Sequence, residues 1–130
     1  MDLHLIKTNE DIQLFLKKTN SLHDGYVIGV QYVNDAVAHM DDGGYFIDPD
    51  NTKLVIRVVV TSIDDTVVEI EFEALKDWQI KDNPWGMQDT SVFFDECDNA
   101  VWSDDVYINA DELKKGTYVI AGSMSWRIVK

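Results

Sequence analysis

Among three histidines, one cysteine and eighteen aspartates, the residues best placed for chemistry are His23 and Asp24, set directly before the apolar run that starts at Tyr26. An imidazole beside a carboxylate is the smallest acid–base couple. Tyr26, or an acid from the 41 to 50 stretch, would complete a small-ligand site or an enzyme centre around it. The same residues have a plainer use. Asp24 and Gly25 carry turn chemistry, since an aspartate side chain bonds nearby backbone and glycine reaches positive φ without steric cost. Leu22 can plug the gap beneath them. The sequence therefore favours a helix-to-strand joint at Leu22-His23-Asp24, with His23 and Asp24 as the alternative site.

Other chemistries find less support. Asp48, Asp50 and Thr52 alternate as in a calcium loop, but Lys53 and Val59 stand where an EF-hand needs glycine and glutamate, so a turn at Asp48-Pro49-Asp50-Asn51 is expected instead. His4, His23 and His39 lack ligand spacing and Cys97 stands alone, so neither a metal nor another cofactor is expected. Glu96 and Asp98 disfavour a Cys97 thiolate. There is no Gly-x-Ser-x-Gly elbow, and "DDGGYF" leads into a strand while carrying carboxylates where a phosphate would sit. No catalytic residue is assigned, and the chain is expected not to be an enzyme.

The elements that position these residues follow from hydrophobic period. Residues 8 to 20 read as a helix: Thr8 can cap, Asp11 stands three residues on as in a capping box, and Ile12, Phe15, Leu16 and Thr19 share one face. From Tyr26 the period becomes two. Strands are expected from Tyr26, from Lys53 to Thr61 in a central position because both faces are apolar, and along "TVVEIEFEAL". There Val68, Ile70, Phe72 and Ala74 alternate with Glu69, Glu71 and Glu73, whose row is the expected wet face of an antiparallel sheet, although an acidic stripe could also receive a basic partner. A hairpin closes near Glu96 to Asn99, a helical turn capped by Asn109 follows, and "TYVIAGSMSWRIV" reads as a hairpin turning at Gly122-Ser123. Residues 34 to 45 are either an edge strand or an excursion, and 76 to 89 read as a long loop. The fold expected is a single α+β domain over residues 1–130, an antiparallel sheet of about six or seven strands with the N-terminal helix packed on one face.

Charge narrows the partners. Twenty-four acids against eleven Lys and Arg give a net charge of -13, which repels nucleic acid and anionic membrane and attracts basic proteins. The lone cysteine, the absence of an apolar stretch of roughly 18 residues and a start without a basic leader point to a cytoplasmic protein. Glu69, Glu71 and Glu73, with Trp78 and Trp85 of the following loop, are the candidate binding surface, because exposed tryptophan beside acids is hot-spot composition; the same composition also fits a loop that folds over its own sheet. Trp126, in the last strand, is expected in the core.

The stretch "LHDGYVIGVQYV" after a leading helix resembles small, uncharacterised bacterial proteins with a helix, then Leu-His-Asp, then an apolar strand. "LVIRVVV", "VEIEFEAL" and "VFFDECDNAVWSD" look like their later strands. Some proteins of this look are suspected immunity proteins, acidic cytosolic factors that neutralise toxins. The resemblance implies protein binding, with a basic toxin as partner, and brings no catalytic residue. Two other expectations stand beside it: a small-ligand binder or enzyme using His23 and Asp24, and a structural subunit that associates through its sheet edges.

Overall fold

A computed structural model describes residues 3–34, 39–41, 44–46 and 51–130. The helix expected near the start forms as α1, Asn9–Lys18, with both halves of the capping box made. The Thr8 side chain accepts from the Asp11 N–H, and the Asp11 carboxylate accepts from the Thr8 N–H. These bonds satisfy donors that the first helical turn would otherwise leave orphaned. Ile12, Phe15 and Thr19 are buried, and the Phe15 ring meets Trp126 edge-on at 5.5 Å. The helix is thus held by its apolar stripe. Each fully buried side chain of this kind contributes about 1.5–3 kcal/mol.

The rest is mostly antiparallel sheet. Strands β1 (His4–Leu5), β2 (Gly25–Asn34), β5 (Thr52–Val60), β6 (Thr66–Gln79), β7 (Ser91–Phe94), β8 (Ala100–Ser103) and β9 (Tyr118–Ile128) form one seven-stranded sheet in the order β2-β5-β6-β9-β8-β7, with β1 also paired to β9. A separate two-stranded hairpin joins β3 (His39–Asp41) to β4 (Gly44–Phe46). The turn expected at Asp48-Pro49-Asp50-Asn51 has its first three residues outside the described residues.

Cross-strand partners share a face, so register assigns the core. Leu54 faces Phe72, Ile56 faces Ile70 and Val58 faces Val68. All six are fully buried, as are Val119 and Ala121 of β9. The opposite face carries a smaller cluster, in which Leu113 of α2 (Ala110–Leu113) packs with Val101 and Tyr118. As expected, the Asn109 side chain caps α2 by accepting from the Glu112 N–H.

Three expectations need correction. Residues 118–128 are one continuous strand, not a hairpin at Gly122-Ser123. Gly122 serves another purpose, since a Cβ there would meet the Ala74 Cβ at 2.9 Å. Ala74 itself is not the next core residue of the alternation. Its φ is 56°, the pairing shifts just beyond it, and Leu75 takes the buried place. A bulge of this kind adds a residue and inverts the pattern after it. β6 then runs on to Gln79, so the expected loop at 76 to 89 begins only at Ile80.

Candidate functional site

The joint at Leu22-His23-Asp24 is built from unusual backbone. Asn20, Ser21, Leu22 and Asp24 all have φ between 52° and 57°, a region that L-residues enter at about 1–2 kcal/mol each. The surroundings hold them there. The Asp24 N–H donates to the Met87 carbonyl, the Met87 N–H to the Gly25 carbonyl, and the Thr90 N–H to the Ser21 carbonyl. On the other side Thr61 bonds the Asp24 carbonyl and Ser62 Oγ donates to the His23 carbonyl. Gly25 has no room for a side chain, because its Cβ would lie 2.7 Å from the Leu22 oxygen and 2.9 Å from Val58 Cγ1.

His23 completes this clamp. Its Nδ1 donates to the Gln88 carbonyl, while Nε2 lies 3.7 Å from Asp24 and Nδ1 3.6 Å from Asp89. The ring is half-exposed and tied to backbone. His23 and Asp24 are therefore neighbours, as the sequence suggests, within a knot joining three loops.

That knot pins the loop after β6 beside the start of β2. Beyond it the loop departs from the strand and leaves a cleft of about 560 Å³ between residues 25–30 and residues 80–87. Its walls include Val27, Ile28, Val30, Ile80, Pro84 and Met87, and Asp104 and Thr117 also line it. The loop keeps its course by seating Gly86 on Tyr26: at φ +79° a Cβ there would meet the Tyr26 ring at 3.0 Å. At the loop's start Lys81 exchanges hydrogen bonds with Thr117 Oγ1. Burial holds the Asp104 carboxyl above its usual range, and the Asp105 charge adds to this against the Thr117 backbone N–H that bonds it. A group so perturbed beside a cleft marks a candidate binding position. Sequence reading missed Asp104, which is one of eighteen aspartates in no recognisable motif.

Alongside the cleft, β2 is the terminal strand of the sheet among the described residues. Ile28, Val30 and Tyr32 are 57%, 43% and 49% exposed, and the Tyr32 ring stacks on Trp78 at 5.9 Å. Trp85, at the tip of the loop, is 84% exposed.

The five residues of the sequence-derived surface are not brought together. Trp78 faces buried Val119 across the β6–β9 pairing, whereas Glu69, Glu71 and Glu73 face Arg127, Ser125 and Ser123 on the other side of the sheet. The glutamates are also not an open row. Glu69 is only 3% exposed and accepts from Arg57 Nε at 2.9 Å and Arg127 Nη2 at 2.7 Å. Burial would raise its carboxyl, yet the hydrogen bonds from Arg127 and Arg57 outweigh it and hold the group below the usual range. Glu73 has Lys53 at 3.8 Å.

Among the described residues no group of three His, Cys, Asp or Glu is placed to hold a metal ion, and no helix is long and apolar enough to cross a membrane. Cys97 is exposed in the β7–β8 turn. The chain matches no protein-family model, no curated protein and no solved structure.

Proposed function

We propose that this chain is a non-enzymatic binding protein whose docking site is the outer edge of β2, and that its partner presents an extended, basic segment. One observation carries the reading: among the described residues β2 ends the sheet, and it exposes Ile28, Val30 and Tyr32 along its length. Sheet edges in monomers are usually blunted by charge or proline, since a row of unpaired backbone groups invites another strand. The ten residues of β2 contain neither, in a chain that is 27% charged. Its bulge between Val27 and Gly29 bends the strand but adds no charge. A partner strand would gain backbone hydrogen bonds from this edge and apolar contact from its side chains.

The net charge of -13 selects the partner's sign. It steers a basic protein inward and opposes the pairing of two copies of this chain through the same edge. The toxin of a toxin–immunity pair is the form of this reading that the resemblance brings, and α1 serves in it as the cover of the sheet's main core face. The cytoplasm is the compartment proposed. Affinity capture at low salt with the chain and its Val30→Glu variant tests the proposal. A basic protein retained by the first, lost from the second and released by salt is the expected result. The same proteins on both would contradict it.

A further inference from the structure

The cleft beside β2 has apolar walls and an acidic group within reach of them. Val27, Ile28, Val30, Ile80, Pro84 and Met87 line it together with the Asp104 carboxyl. None of the ion pairs among the described residues includes Asp104. The charged groups of the lining are two acids, Asp82 and Asp104, and one base, Lys81, and Asp105 follows directly. The surroundings thus keep a net negative sign that Lys81 only partly offsets.

A ligand for such a place is apolar along its stem and cationic at its tip. Lysine and arginine side chains have this build, burying their methylenes along apolar surface while the head finds a carboxylate. We infer that the cleft receives a lysine or arginine side chain of the segment that docks on β2, its stem lying along Ile28 and Val30 and its head pairing with Asp104. The inference rests on the reading of β2 as a docking edge and gives that edge its specificity. Pairing in a half-buried position is stronger than on open surface, because less water competes for the charges. It also relieves the unpaired Asp104.

The probe is n-butylguanidinium, with n-butylurea as a neutral control of similar shape, followed by amide chemical shifts of the whole chain. The guanidinium is expected to give saturable shifts at residues 25–30, Asp104 and Thr117 that the urea does not. Asp104→Asn, which keeps an acceptor for the Thr117 N–H, should weaken binding at least tenfold with the spectrum otherwise native. Val30→Trp, which fills the cleft and spares the carboxyl, should also abolish it. Equal shifts from the urea, or unchanged affinity in Asp104→Asn, would overturn the anchor. Capture repeated with Tyr32→Glu, a change on β2 outside the cleft lining, separates the two readings: loss of binding there with no cleft response here overturns the anchor alone.

Discussion

Tyr32 and Trp78 stack with ring centroids 5.9 Å apart and planes at 20°, although their strands are separated in the sheet by β5. The contact reaches over the intervening strand on the core-facing side, and both rings stay about half-exposed or a little less. An aromatic pair adds about 0.5–1.5 kcal/mol beyond the area it buries. The coupling between Tyr32 and Trp78, measured by urea unfolding of both alanine variants and the double variant, is expected in that range, and Trp78→Ala should weaken partner binding by more than its stability loss explains. A coupling of zero would contradict the stacking.

The Glu69 clamp predicts a pH dependence with a definite sign. Its folded carboxyl titrates below the ordinary value of 4.5, so its contribution is present above that value and lost as pH falls through the folded pKa. Glu69→Gln should therefore lower stability at pH 7 by roughly 1–3 kcal/mol, the worth of hydrogen bonds to a buried charged acceptor. The gap between variant and parent should narrow on acidification. A gap that is constant from pH 7 to pH 3 would contradict the clamp.

Asp104 predicts the opposite sign. Its folded carboxyl titrates above the ordinary value, so the stability linked to it is present below that value and lost as pH rises through the folded pKa. Asp104→Asn is expected to melt higher than the parent at pH 7, with the difference vanishing at low pH. A lower melting temperature at pH 7 would show that the carboxylate is structural.

His23 and Gly25 belong to the joint. His23→Ala removes the bond to the Gln88 carbonyl and should cost about 0.5–1.5 kcal/mol while leaving partner binding unchanged. Gly25→Ala places a Cβ at 2.7 Å from the Leu22 oxygen, which forces backbone to move and should cost about 1–3 kcal/mol. An equilibrium unfolding series on both variants checks these values. Abolished partner binding in a well-folded His23→Ala protein would restore the His23-Asp24 site.

Local rules read much of this fold from sequence. Thr8 and Asp11 cap α1 as their spacing demands, and Val68, Ile70 and Phe72 fill the core as their alternation demands. What escaped was non-local. Gly122-Ser123 has turn composition, yet Gly122 is small because Ala74 lies against it from the next strand. The Glu69 row reads as a wet face until Arg57 and Arg127, 12 and 58 residues away, close on it. Nothing in "GYVIGVQYVN" says that β2 ends the sheet, since strand order depends on partners elsewhere in the chain. Asp104 was equally illegible, because only the folded loop at 80–87 turns it into part of a cleft.

The central claim is that a partner adds to the outer edge of β2, and hydrogen exchange of the chain with and without the captured protein tests it most directly. Backbone amides of residues 26–33 should slow on complex formation, with residues 78–87 following, while those around Glu71 and Glu73 keep their free rates. Unchanged exchange along β2 in a complex that protects another surface would contradict the account.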